Sequence, residues 1–470
     1  MQRVFTFPAG DAAFFPLCFL KLPLAGQAGT CYDIEEEVSE GNKQGDTIGM
    51  NVSQALEYIN GTRWMGSRPG LSRVRELLDR LDRPQDELRF VHIAGTNGKG
   101  SCAAMLASIL RAAGYRTGLY TSPYLFRFNE RMQVNGEPIS DEDLADVVTA
   151  IRPHADAMED HPTEFELMTA AAFLWFKQQH CDIVVLEVGL GGRLDATNVI
   201  DAPEAAVIMN IGLDHTEILG DTLEKIAAEK AGIFKPGCEA AVYDQGESVI
   251  RVLQEKARET GTSLRLADFS QLQPEFDSLE GQSFLYRGEP YALALLGDHQ
   301  LRNAAVVLET VEILRRRGWV LSHEAVEHGL YATVWPARFE LVSEEPPFVV
   351  DGGHNPQCAQ TVRDNLLRYF PSQRRVLLVG VLADKDYPAL FEILNEAADA
   401  WVCVTPDSPR ALPAEKLAEH LARFGKPVTV CDTIPLGVDT AREQAGEDGM
   451  ACSVGSLYMA GAVRACFGLN

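Results

Sequence analysis

The sequence predicts an α/β fold with mostly parallel sheets divided between two domains, and three observations carry that expectation. First, near-continuous apolar runs of strand length alternate with helical segments: "RFVHIAG", "DIVVLEVG" and "AAVIMNIG" early, then "FVVDGG", "RVLLVGVLADKD", "AWVCVTP" and "ACSVGSLYM". Strands read this way when helices cover both faces of a parallel sheet. Second, polar residues gather where these strands end, at Lys99, Glu187, His215, Asp351 and Ser456, the edge at which open α/β sheets bind ligands. Third, 470 residues exceed one ordinary core. A proline between patterned regions in "YATVWPARFE" sets the boundary near Pro336, giving domains 50–336 and 337–470.

Composition narrows the function classes. Asp and Glu number 67 against 42 Lys and Arg, a net charge of −25 and a pI of about 4.8. That balance argues against a nucleic-acid footprint or binding to an anionic membrane. There is no transmembrane run, and the ten cysteines form no C-x-x-C pair. Most sit in apolar runs, as Cys181, Cys403 and Cys452 do, so buried reduced thiols in a cytoplasmic protein are expected.

In chain order, residues 1–49 stand apart. "FFPLCFLKLPLAGQAG" imitates a signal peptide, but Pro16, Lys21 and Pro23 interrupt its apolar core, and the acidic "DIEEEVSEGNKQGDTIG" follows. A disordered extension is expected there, with Met50 opening a helical pattern. "LSRVRELLDRLDRP" places Leu71, Val74, Leu77, Leu78 and Leu81 on one helical face before Pro84 ends it. "VHIAGTNGKGSCAAMLASILRAAG" reads as strand, glycine-rich loop and helix. Its backbone N–H groups, Lys99 and the helix N-terminus suit a triphosphate. The spacing departs from the standard Walker pattern, with Ile93 five before Gly98 and Gly100 between Lys99 and Ser101.

Three further polar points follow strands. Ser122 lies in "LYTSPYL", Glu187 closes "DIVVLE", and His215 lies in "NIGLDHTEILG". A lone carboxylate on a buried strand is expensive unless paired. A carboxylate, a hydroxyl, an imidazole and phosphate oxygens make a plausible magnesium site. "DTLEKIAAEKAGIFKPG" reads as a short helix, with a capping-box-like start at Asp221 and Glu224 and a stop at Pro236-Gly237. Leu223, Ile226, Ala227 and Phe234 form its inward stripe, and Lys230 lies on that same stripe.

These segments, with "HQLRNAA", "WPARFE", "DGGHNP", "GVLADKDY", "TPDSPRALPAEKLA" and "GSLYMAGAVR", occur in an order that resembles the folylpolyglutamate synthase/dihydrofolate synthase family of the Mur ligase superfamily, from about Met50 to the C-terminus. The resemblance implies a P-loop-type mononucleotide-binding ATPase domain with a mostly parallel sheet, followed by a smaller Rossmann-like α/β domain that binds glutamate. It implies ATP-phosphate binding by Asn97, Gly98, Lys99, Gly100 and Ser101, and ATP contacts at Asn303, Arg338 and Asp351. One magnesium ion is expected at Ser122 and Glu187, and a second at Glu187, His215 and Lys230, the lysine being carbamylated. A monovalent cation such as K+ is compatible with such a site. The pteroate site is expected at Ser67, Arg68, Pro69 and Gly70, at Thr163, Glu164, Phe165 and Glu166, and at Leu194, Asp195 and Ala196. His354 and Ser456 are expected to receive the incoming glutamate. Gly353 stands where the family commonly has alanine.

The implied reaction is ATP-dependent addition of L-glutamate to dihydropteroate, to the γ-carboxylate of folate polyglutamates, or to both, by a monomer acting through an acyl phosphate. Two other readings use the same nucleotide loop. One is a Mur-type ligase that extends a UDP-linked peptide, against which "TSPYLFRFNERMQVNG" and "GSLYMAGAVR" resemble the folate branch. The other is a non-catalytic nucleotide switch, which has no use for the Glu187, His215 and Lys230 set.

Overall fold

The computed structural model describes residues 49–469 apart from 63–65 and 67. Ser67 and all but Gly49 of the extension expected at 1–49 therefore lie outside the described residues. Asn51 caps the helix Val52–Asn60 in a capping box with Gln54, and the Met50 N–H donates to Thr149 Oγ1 at 3.0 Å.

The apolar runs form the strands expected of them. The first sheet contains β1 (Phe90–Ala94), β2 (Thr117–Tyr120), β3 (Met132–Val134), β4 (Glu137–Pro138), β5 (Ile183–Glu187), β6 (Ala205–Ile208), β7 (Glu239–Tyr243) and β8 (Ser263–Ala267). Their spatial order is β4-β3-β2-β5-β1-β6-β7-β8. Every pairing from β2 across to β8 is parallel, and β3 and β4 add an antiparallel edge. Alternation along β1 sends Val91 and Ile93 into the core on one face of the sheet and Phe90 into the core on the other. The order reverses at β1, which lies between β5 and β6, so the crevice at their carboxyl ends is the topological switch point.

Strands β9 (Leu272–Ser278), β10 (Gly281–Tyr286) and β11 (Glu289–Leu293) form a separate antiparallel sheet. The last sheet has β12 (Glu340–Glu344), β13 (Pro347–Val350), β14 (Arg375–Val379), β15 (Ala400–Cys403), β16 (Val428–Val430) and β17 (Met450–Val454). Its order is β12-β13-β17-β14-β15-β16, parallel except for the β12/β13 pair. Among the described residues the cysteines are unpaired thiols, six of them buried, and no helix is long and apolar enough to cross a membrane.

One helix differs from the expectation. It spans Leu223–Lys230, and its cap is Thr222, whose hydroxyl accepts from the Lys225 N–H. Asp221 instead pairs with Lys225 Nζ at 2.7 Å. Leu223 is 37% exposed rather than part of the buried stripe, because the first turn projects past the core while Ile226, Ala227 and Lys230 reach it.

Candidate active site

The phosphate loop leaves β1 at Ala94 and enters the helix Lys99–Ala112. Its glycines are required by packing as well as by backbone freedom. Gly98 has a φ of 85°, and a Cβ there would lie 2.7 Å from Asn303 Oδ1. A Cβ on Gly100 would meet Trp335 Nε1 at 2.8 Å. Asn303 is tied to the loop through Gln300: its Nδ2 donates to Gln300 Oε1 at 3.0 Å, and Gln300 Nε2 donates to Ser101 Oγ at 3.2 Å. Asn97 faces the other way, accepting from Asn355 Nδ2 at 2.9 Å and donating to Gln357 Oε1 at 2.7 Å.

Strand register sets Ile93 opposite Glu187, so the carboxylate stands beside the loop. Glu187 is 4% exposed and its pKa is raised by burial, which Lys99 and the Ser122 N–H only partly oppose. Lys99 Nζ is 4.0 Å from Glu187 Oε1, and the Ser122 N–H donates to Oε2 at 3.2 Å. Lys230 arrives from the facing helix, 4% exposed, with Nζ donating to the Gly95 carbonyl at 2.8 Å. Burial, helped by repulsion from Lys99, lowers its pKa from 10.5 to about 7. His215 adopts left-handed φ of 51° ahead of the short helix Thr216–Leu219, and burial lowers its pKa.

This donor set suits a hard cation. Glu187 is a buried carboxylate whose nearest ammonium sits at the outer limit of an ion pair, and the Ser122 hydroxyl and an oxygen-bearing Lys230 would complete it. No group of three His, Cys, Asp or Glu side chains among the described residues forms a metal cluster of the purely side-chain kind.

Two adjoining cavities surround these groups. One, of about 430 Å³, is lined by Asn97, Gly98, Lys99, Gly100, Ser101, Ser122, Glu187, His215, Lys230, Asn303, Arg338 and Asp351. The second, of about 650 Å³, is lined by Arg68, Pro69, Gly70, Thr163, Glu164, Phe165, Glu166, Leu194, Asp195 and Ala196. Ser122, His215 and His354 line both, so the cavities meet there. Ser456 lines only the second. Several of these side chains already serve the backbone. Thr163 caps the helix Glu164–Gln178 in a capping box with Glu166, which also pairs with the buried Arg73 at 3.0 Å. Both oxygens of Asp351 accept backbone N–H groups, from Phe339 at 2.8 Å and Gly353 at 2.7 Å. That bond explains Gly353, where a Cβ would sit 2.8 Å from Asp351 Oδ1 and 2.9 Å from Cys358 Cβ.

The cleft also contains groups that were not singled out from the sequence. Asp214, between Leu213 and His215, accepts from Lys385 Nζ at 2.9 Å and lies 3.8 Å from His354 Nε2. Burial opposes its ionisation, but Lys385, His215 and His354 outweigh that and hold the carboxyl below its usual range. His354 is kept neutral by burial and by Lys385, which push its pKa to about 4. Lys385, Arg410 and Tyr458 line the second cavity beside Ser456. The signal available for them was their place inside the quoted segments "GVLADKDY", "TPDSPRALPAEKLA" and "GSLYMAGAVR".

Known proteins share this fold. The Mur ligase middle domain matches residues 93–311, and the Mur ligase glutamate ligase domain matches residues 337–457. The dihydrofolate synthase/folylpolyglutamate synthase of Bacillus subtilis is 39% identical over 77% of this chain and 87% of its own length. Escherichia coli FolC in complex with DHPP and ADP superposes with a TM-score of 0.80 at 31% identity, covering 89% of this chain and 98% of that one. A bifunctional folylpolyglutamate synthase/dihydrofolate synthase with Mn, AMPPNP and L-glutamate bound gives a TM-score of 0.78 at 33% identity, covering 89% and 98%.

Proposed function

The chain belongs to the folylpolyglutamate synthase/dihydrofolate synthase family of Mur ligases, and from that premise we propose that it is an ATP-dependent amide ligase joining L-glutamate to dihydropteroate, to folate polyglutamates, or to both. The observation that carries this reading is the meeting of the two cavities at Ser122, His215 and His354. A nucleotide in the smaller one and a pteroate in the larger would bring γ-phosphate and carboxylate together there.

A carboxylate resists an amine because its charge repels the nucleophile and oxide is a poor leaving group. Transfer of the γ-phosphoryl group of ATP to the carboxylate oxygen releases ADP and gives an acyl phosphate. The glutamate amine then attacks the acyl carbon, the C–O bond to phosphate breaks, and an amide and inorganic phosphate result. In this reading Lys99 and the loop from Asn97 to Ser101 hold the phosphates, and Asn303, Arg338 and Asp351 border the nucleotide. Two magnesium ions, when bound at Ser122/Glu187 and at Glu187/His215/Lys230, would offset charge at the transferring phosphoryl group. Arg68, Pro69, Gly70, Thr163–Glu166 and Leu194–Ala196 enclose the pteroate. His354, neutral and beside Asp214, and Ser456 receive the glutamate. The segment at Pro336 serves as the hinge between domains 50–336 and 337–470, whose closure excludes water from the acyl phosphate. A monomer suffices for this chemistry.

Lys230 enters as a carbamate: the neutral amine adds to CO₂, an N–C bond forms, and one proton leaves. Its lowered pKa supplies that neutral amine near pH 7. The ligase reading is tested by phosphate release from ATP, which should require both a pteroate or folate and L-glutamate. Release without either would favour a switch, and Lys99→Ala should abolish the coupled reaction.

A further inference from the structure

His92 is the one polar side chain of β1, fully buried and three residues upstream of the phosphate loop. Its Nε2 lies 2.9 Å from Thr197 Oγ1. Thr197 Oγ1 is in turn 2.5 Å from Asp195 Oδ1, which also accepts the Thr197 N–H at 3.0 Å. Asp195 Oδ2 accepts the Leu190 N–H at 2.8 Å. The direction of this chain follows from chemistry. Both Asp195 oxygens accept backbone N–H groups, from Thr197 and Leu190, so the carboxylate acts as the acceptor although burial raises its pKa; the single Thr197 hydroxyl proton goes to it, and the hydroxyl must accept from His92 Nε2–H. Nδ1 is then a bare lone pair, and Nδ1 is the atom of His92 that is buried without a partner. The opposite tautomer would orphan an N–H, the less tolerated defect. Burial, with a smaller contribution from Lys235, keeps the imidazole neutral, as the relay requires.

Asp195 stands on the wall of the larger cavity with its other hydrogen-bonding capacity directed by these donors. We propose that His92 is a positioning residue for that cavity: through Thr197 it fixes Asp195 as an oriented acceptor for an N–H group of a bound pterin-type heterocycle. The proposal rests on the ligase reading above. His92 touches no ligand itself, being sealed beneath Thr197.

The test is calorimetric binding of dihydropteroate or tetrahydrofolate, which needs no turnover, to the full chain and four variants. His92→Leu removes the donor, whereas His92→Gln can place an amide N–H near the Nε2 position. Loss of a buried hydrogen-bond partner, on the order of 1–3 kcal/mol, corresponds to weakening of about tenfold or more. His92→Leu should show that loss, His92→Gln should stay within about threefold of wild type, and Thr197→Val should match His92→Leu without adding to it in the double variant. KM for ATP should stay within about twofold in all of them. Equal binding by His92→Leu and wild type, or equal loss in the Leu and Gln variants, overturns the positioning role and leaves the ligase reading intact. Failure of the wild type to bind dihydropteroate and tetrahydrofolate alike overturns both.

Discussion

Among single residues, Lys230 shows best how burial turns an ordinary side chain into a reagent. Its stem and amine are enclosed, its partner is a neutral carbonyl, and Lys99 repels it. Between about pH 7 and 10.5 the unfolded chain keeps a proton on this amine that the folded chain has released. Stability therefore rises with pH across that window, by an amount on the order of a few kcal/mol. Below pH 7 both states are protonated and the contribution is flat. In CO₂-free buffer, Lys230→Met should lack this rise, as read from thermal unfolding at pH 7 and pH 9. With CO₂ present, Lys230→Ala should lose ligation and regain part of it on addition of short carboxylates, and full activity of the unrescued variant would refute the carbamate. The inward lysine was legible in the sequence because it broke a helical stripe. Asp214 and Lys385 were not, since charges beside turns are ordinary until the fold sets them 2.9 Å apart.

Individual elements owe their placement to close backbone approach. The loop after β5 lies against the Lys230 helix so tightly that a Cβ on Gly192 would be 2.8 Å from the carbonyl oxygens of Glu229 and Lys230. Gly192→Ala should cost about 1–3 kcal/mol by overpacking and displace Lys230 from the Gly95 carbonyl, measurable as a lower unfolding midpoint together with loss of ligation. Gly98→Ala adds a strained φ to a clash with Asn303 and should weaken ATP binding more than it lowers stability. Strands β1, β5, β6, β13, β14, β15 and β17 were readable as apolar runs because both faces are covered, whereas exposed edge strands such as β4, β8 and β16 were not. Strands β9 to β11 escaped notice: β9 contains Pro274 and exposes most of its side chains, Phe276 among them at 54%, so no buried period marks it. The helix ending at Lys230 was readable as a helix but not in its cap or its end: Asp221 and Thr222 are both competent caps and only backbone geometry selects one, and the α-helix gives way to a 3-10 turn at Ala231–Ile233 before the expected stop at Pro236-Gly237.

At the scale of the whole molecule, bonds join segments far apart in the chain. Lys385 reaches Asp214, Asn355 and Gln357 reach Asn97, and Arg368 pairs with Asp277 at 2.5 Å. Lys385→Met should leave Asp214 without its main countercharge and raise KM for L-glutamate by about tenfold, the scale of one charge-assisted hydrogen bond. Unchanged KM would remove Lys385 from the glutamate wall. The sequence by itself determined the fold class, the phosphate loop and the family, because strand burial, glycine-rich turns and motif order are properties of short stretches. The tertiary structure decided which carboxylates are already engaged, as Glu166, Asp195 and Asp351 are, and which groups share the cleft. Those outcomes depend on partners far apart in the chain, whose distances are set only when the sheets and helices pack.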